Sequence, residues 1–169
     1  MKMSFHFACG ALALLLSGCA SYSWTSQVPE RLRTVAVPTM RNESSVTEIG
    51  SVMTRQLLRE FQREGTFSIR RGDDAALEVQ GVVKSVSDAA TGYSRRSGLR
   101  TVSYDVTAVV EVSVVDKVNG RVLVDNRPYR ARTTVSAAQD LLSANRDASG
   151  RLADDLSRQV VDDILNLKW

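Results

Sequence analysis

Val102-Ser103-Tyr104-Asp105-Val106-Thr107-Ala108-Val109-Val110-Glu111-Val112-Ser113-Val114-Val115-Asp116-Lys117-Val118, then Asn119-Gly120, then Arg121 through Val135 is the stretch that decides the fold. Two runs rich in β-branched residues flank an Asn-Gly pair, the strongest short-range signal for a hairpin closed by a type I′ turn. A two-residue turn pairs Val118 with Arg121, which places Val110 opposite Tyr129, Ala108 opposite Ala131 and Tyr104 opposite Val135. That face is apolar. The other carries Asp105, Thr107 and Glu111 on one arm and Arg130, Arg132 and Thr134 on its partner, so the base of the hairpin reads as one buried and one polar side. Pro128 cannot donate to a ladder, which makes the second arm an edge strand or a bulged one. Nearer the tip, at Val112, Val114, Val115, Val122 and Val124, the alternation fails. The tip therefore packs on both faces or projects beyond its neighbours.

Outward from the hairpin, Ala76 to Val86 alternates with Leu77, Val79 and Val83 on one face, and Phe67 to Arg70 reads as a shorter strand. A loop is expected from Ser87 to Gly98. Arg31 to Thr39 reads as one strand with Val35 and Val37 on a common face. Between these lies a helix. Ser45-Val46-Thr47-Glu48 fits a capping box, Ile49, Val52, Met53, Leu57 and Phe61 recur at helical spacing, and Gly65 suits the position after the helix end. Ser136 to Ser149 stays ambiguous. A second amphipathic helix closes the chain on a stripe of Leu152, Leu156, Val160, Ile164 and Leu167, with Asp154, Asp155, Asp162 and Asp163 off it. The order predicts an α+β domain over residues 31–169: a single mixed or antiparallel sheet of about four strands with two helices on one face.

The N-terminus sets the compartment. Lys2 supplies a short positive region, Phe5 to Leu16 is almost wholly apolar, and Leu16-Ser17-Gly18-Cys19 closes it. Twelve residues are too few to span a bilayer core, which takes about 20, so this reads as a signal peptide. The closing tetrapeptide resembles the bacterial lipobox, with cleavage between Gly18 and Cys19 and lipid on the Cys19 thiol. Residues 1–18 are thus expected to be removed, and 19–30, with Tyr22, Trp24 and Pro29, to form a lipidated tether. One acyl chain holds a protein only marginally, while two or more make a stable anchor. Ala20 and Ser21 follow the cysteine where an aspartate resembles an inner-membrane retention signal, which favours the outer membrane.

Composition narrows the chemistry. The mature chain has 151 residues, enough for one domain with a real core. Its 21 Lys and Arg against 19 Asp and Glu leave a net charge near +2, too small to argue for nucleic acid. Arg outnumbers Lys eighteen to three, which suits phosphate or carboxylate recognition but also follows from GC-rich codons. The one histidine, His6, and Cys9 leave with the signal peptide, and Cys19 is consumed by lipid. Most metal sites and the common nucleophile–base pairs are thereby excluded, so no catalytic residue, metal or cofactor is expected.

The order of elements, together with Ser17-Gly18-Cys19, Tyr22, Arg33-Thr34-Val35-Ala36-Val37-Pro38-Thr39 and Asn42, resembles the opening of the lipopolysaccharide-assembly lipoprotein family, LptE. Phe61 and Gly65 closing a helix, the run Leu77-Glu78-Val79-Gln80-Gly81, the strand around Tyr104 to Val114 and Leu152-Ala153-Asp154-Asp155-Leu156 extend the resemblance over the mature chain. The resemblance implies an outer-membrane lipoprotein, held by its lipid on the periplasmic side or within the lumen of an LptD-like β-barrel partner. Such a protein plugs and helps assemble that barrel and helps deliver lipopolysaccharide to the cell surface. Candidate contacts with lipopolysaccharide or partner are Arg95, Arg96 and Arg100 in the loop and Arg130 and Arg132 on the strand; the alternative is solvated loop charge and cross-strand pairing with Asp105 or Glu111. One rival class is another periplasmic interaction lipoprotein, a cell-wall synthase activator or secretion-pore subunit, whose families also open on a Val-Ala-Val-Pro-like strand; the other is a hydrolase using carboxylates, for which the sequence marks no pair.

Overall fold

A computed structural model describes residues 28–94, 100–136 and 141–169. A 3-10 turn at Glu30–Leu32 leads into β1 (Thr34–Ala36) and β2 (Arg41–Asn42). Then follow α1 (Ile49–Glu64), β3 (Ser68–Ile69), a 3-10 turn at Gly72–Asp74, β4 (Leu77–Ser94), β5 (Arg100–Asp116), β6 (Arg121–Ser136) and α2 (Leu141–Leu165). The sheet runs β3-β1-β4-β5-β6, with β2 also paired to β4. Its short N-terminal strands are parallel and its three long strands antiparallel. This is the α+β architecture that the sequence predicts, with six strands rather than about four.

The strand expected over Arg31–Thr39 shrinks to β1, and an additional short strand follows it. Glu30–Leu32 turns instead of extending, β1 stops before Pro38, and a separate β2 forms after Met40. The close packing of this segment on α1 explains the break: the Met40 amide donates to Thr54 Oγ1 at 2.9 Å, and Thr54 in turn donates to the Gly50 carbonyl at 2.8 Å. The expected loop from Ser87 is also corrected, because β4 continues to Ser94 alongside β5.

Both helices cover one face of the sheet. Ile49, Met53, Leu57 and Phe61 of α1 meet Leu152, Leu156, Val160 and Ile164 of α2 over inward residues of β4, β5 and β6, all essentially inaccessible. Phe61 and Phe67 pack edge to face with centroids 5.4 Å apart. At 25 residues α2 is one continuous helix that absorbs the ambiguous stretch before Ser149. α1 ends as its sequence suggests: Gly65 takes φ +84°, a left-handed value that costs glycine little, and its N–H bonds the Phe61 carbonyl. The start differs from the expected capping box. Glu48 caps with no side-chain bond. Asn42 organises the entry instead, donating from Nδ2 to the Val46 carbonyl at 2.8 Å and accepting from the Ser44 amide at 3.0 Å.

The hairpin register at the base is the one read from the sequence: Val110 opposite Tyr129, Ala108 opposite Ala131, Tyr104 opposite Val135. The tip is different. The turn holds four residues, Lys117 to Gly120, and its closing pair is Asp116 with Arg121, not Val118 with Arg121. The nearly buried Asp116 carboxylate sets this turn, accepting the Val118 and Asn119 amides and the Asn119 side-chain amide at 2.7 to 3.1 Å. Burial opposes its ionisation, but these bonds outweigh burial and hold its pKa below the ordinary carboxylate value. Two register shifts between Val112 and Val115 then restore the pairing further down. Asn126, at φ +40°, occupies the irregular stretch and donates its amide to Ser113 Oγ at 2.9 Å.

Candidate functional site

The face of the sheet turned away from the helices carries polar rows across its three long strands. Directly paired residues share a face, so Val82, Glu111 and Pro128 form one row across β4, β5 and β6. Ser85, Val109 and Arg130 form the next, followed by Ser87, Thr107 and Arg132, then Ala89, Asp105 and Thr134. The strand alternation that sends Val106, Ala108 and Val110 into the core sends these outward.

Arg132 is committed to Asp105 by a cross-strand ion pair, and Thr134 Oγ1 donates to the same carboxylate at 2.5 Å. The Thr134 bond first and the Arg132 bond second hold the Asp105 carboxyl below its ordinary range. Arg130 faces Val109, and its guanidinium makes no ion pair or side-chain hydrogen bond among the described residues. Glu111 does not pair with either arginine; Lys84, the extra residue of a β4 bulge, lies 4.0 Å from it and bonds Glu43. That Glu43 bond raises the Lys84 ammonium and lowers the Glu43 carboxyl. The structure therefore brings Arg130 and Arg132 together on one exposed edge. Arg95 and Arg96 lie outside the described residues, and only the backbone of Arg100 is described, opening β5 opposite Ser94.

A hollow of about 230 Å³ interrupts this face where β2 meets β4, lined by Arg41, Gln80, Glu111, Ser113 and Asn126. A second, about 450 Å³, lies at the start of α1 between Val46, Ile49 and Val52 and the Arg146 and Ser149 positions of α2. Among the described residues no set of three or more His, Cys, Asp or Glu side chains is placed to hold a metal, and no helix is long and apolar enough to cross a membrane. Sequence reasoning missed the groups that fasten the polar edge to the helices. Arg127 and Tyr129 both bond Asp163 of α2. A tyrosine placed on the buried arm, whose hydroxyl needs a partner, was the available signal.

Over residues 32–166 the sequence matches the LptE family, described as lipopolysaccharide-assembly. The chain belongs to this family. LptE proteins are non-enzymatic envelope lipoproteins of lipopolysaccharide assembly, working with the transport machinery, and that coarse role extends to this member. Among solved structures the chain is similar in fold to a putative neuraminyllactose-binding hemagglutinin homolog from Helicobacter pylori, at 12% identity and TM-score 0.53, covering 83% of this chain and 87% of that one. It is similar to a hypothetical protein from Chlamydia trachomatis, at 13% and 0.52, covering 79% and 96%. A minor lipoprotein from Acinetobacter baumannii follows at 12% and 0.51, covering 79% and 93%. At such identities the likeness concerns the fold alone. No curated protein matches the sequence.

Proposed function

We propose that this LptE-family chain is an outer-membrane lipoprotein that plugs and helps assemble an LptD-like β-barrel translocon delivering lipopolysaccharide to the cell surface. In this reading residues 1–18 are removed, Cys19 carries the lipid, residues 19–30 tether, and the domain from residue 31 enters the barrel lumen from the periplasmic side. The observation that carries the reading is the uncovered sheet face. A transmembrane barrel has a polar interior, and a wedge whose helices bury its apolar side while three long strands present charged and hydroxyl rows suits such a lumen. Arg130 and Arg132 lie on the edge of that face, and Arg100 opens the strand at the end far from the tether. With Arg95 and Arg96 they are the proposed contacts for partner or for lipopolysaccharide phosphate, which the Arg fork suits.

The experiment is co-purification in mild detergent combined with depletion. Wild type should retain a large outer-membrane barrel protein. Depleted cells should accumulate that barrel misassembled and display less surface lipopolysaccharide. Mass spectrometry of the mature chain should find Cys19 acylated and N-terminal. Normal surface lipopolysaccharide after depletion, with no barrel in the pull-down, would replace this reading with the cell-wall or secretion one.

A further inference from the structure

The tip of the β5–β6 hairpin carries apolar side chains that none of the described residues covers. Val118 in the turn is 60% accessible and Val122 is 58%, the two exposed large apolar residues among those described. Val122 pairs with the half-buried Val115. Lys117 and Arg121 flank them, but Lys117 is bonded to Asp73 and lies 3.7 Å from Glu78, and Asp125 is nearby in sequence. The Lys117 charge is thus balanced, while the Arg121 guanidinium makes no ion pair among the described residues.

Its position in the fold gives it a partner. Val35, Leu77, Asp116 and Arg121 form one continuous row across β1, β4, β5 and β6. β1 runs parallel to β4, so the residues before Thr34 lie beyond that row, at the hairpin-tip end. One contact agrees: the Lys117 amide donates to the Ala76 carbonyl, just before β4, at 2.8 Å. Three strand spacings of about 4.8 Å separate β1 from β6, roughly 15 Å. Cys19 precedes Val28 by nine residues, so a lipid on Cys19 stays within about 30 Å of Val28 at full extension. The 18 residues of β4 run roughly 55–60 Å in the opposite direction. The tip end is thus the end that a lipid on Cys19 keeps near the bilayer.

We propose that the hairpin tip, through Val118 and Val122, is a second membrane contact of the lipidated chain before it enters its barrel: it seats on the phospholipid surface in which Cys19 is anchored, with the Ser94–Arg100 end farthest from that surface. This rests on the Cys19 anchor of the preceding section. Two valines are too little apolar surface to hold a free domain on a membrane. Once the lipid is inserted, however, the contact is intramolecular and the effective concentration set by the short tether drives it. The valines make the contact apolar, and it forms without any need for anionic lipid.

The test uses the full mature lipidated chain in phosphatidylethanolamine–phosphatidylglycerol vesicles. Acylated Cys19 leaves a single free thiol in Val118→Cys and in Ala89→Cys, an exposed position far along β4. Each carries an environment-sensitive fluorophore, and lipids brominated high on the acyl chain act as quenchers. The tip label should be quenched at least two-fold more than the Ala89 label, an excess that persists in vesicles without phosphatidylglycerol, and adding Val122→Asp should reduce that excess. Equal quenching at both positions in chains that sediment with the vesicles would overturn the tip contact and leave the anchor standing. Chains that do not sediment would overturn the anchor, and the tip contact with it.

Discussion

The phenol of Tyr129 donates to Asp163 Oδ2 at 2.6 Å, and this bond fastens the last strand of the sheet to the last helix. Arg127 reaches the same carboxylate from two residues earlier on β6. Among the described residues β6 is an edge strand, with β5 on one side and no strand on the other. A long edge needs protection from stray pairing. Here the irregular stretch around Asn126, Pro128, the arginines and the clasp to α2 supply it, and Gln159 adds a donor to the outward Arg130 carbonyl at 3.3 Å. The clasp therefore holds the strand that presents Arg130 and Arg132.

Tyr129→Phe should lower unfolding stability by about 1–3 kcal/mol, the range for a hydrogen bond to a charged group, since the ring stays packed and only the hydroxyl is lost. Urea denaturation at neutral pH measures it. A midpoint equal to wild type would show that the bond is replaced by water at no cost.

The same bond makes a pH prediction. Burial first, and Asp163 second, push the Tyr129 phenol well above its ordinary 10.0. A raised acid contributes stability that is complete below the unfolded value and is lost as pH climbs past it. The stability gap between wild type and Tyr129→Phe should hold up to about pH 10 and shrink above it. One of the four tyrosines should show phenolate absorbance only on alkaline unfolding.

Two helix glycines should respond in opposite directions. Gly150 lies exposed within α2 with nothing within 4 Å of an added methyl, so Gly150→Ala should stabilise by about 0.5–1 kcal/mol. At Gly50 a methyl would meet the Met40 carbonyl oxygen at 2.7 Å, where backbone must yield. Gly50→Ala should destabilise by about 1–3 kcal/mol, offset in part by alanine's helix preference. Thermal melts of both variants check the pair.

Phe61 is wholly inaccessible, wedged against Phe67 between helix and sheet. Truncation to alanine removes the ring and leaves a cavity that the two helices can only partly close, which costs about 3–5 kcal/mol. An unchanged melting temperature for Phe61→Ala would contradict this packing.

Which parts were legible follows from how each is encoded. The hairpin base could be read because a two-residue period leaves one register with a buried face: Val110, Ala108 and Ala131 fit in no other. The Arg132–Asp105 pair could be read from the same count. The turn could not. Asn-Gly suggested two residues, whereas the Asp116 carboxylate gathers three donors and widens the turn to four. The base register survives only because β6 takes up two extra residues, one at Asp125–Asn126 and one at Leu123. Such compensation leaves no periodic trace. Nor does the break between β1 and β2, which depends on the close approach of Met40 to Gly50. The Tyr129–Asp163 clasp joins residues 34 apart, across elements whose relative placement only the fold supplies.

Charge reversal at the exposed edge tests the proposed partner contact, and the two arginines separate its components. Arg130 has no side-chain partner among the described residues, so Arg130→Glu should leave the melting temperature of the domain at its wild-type value. Arg132→Glu breaks the pair with Asp105 and sets two carboxylates side by side, so a small loss of stability is expected at neutral pH and should diminish as acid protonates them. If the outer sheet face meets a barrel lumen, each reversal should reduce retention of the barrel in a pull-down. A desolvated contact should lose 2 kcal/mol or more, roughly thirtyfold, whereas a solvated rim charge is worth about 0–1 kcal/mol. Arg130→Glu is the cleaner probe because a folding defect cannot account for its loss. Full barrel retention by the Arg130→Glu, Arg132→Glu double variant, with the domain folded, would remove this edge from the interface and leave Arg95, Arg96 and Arg100 to be scored by the same assay.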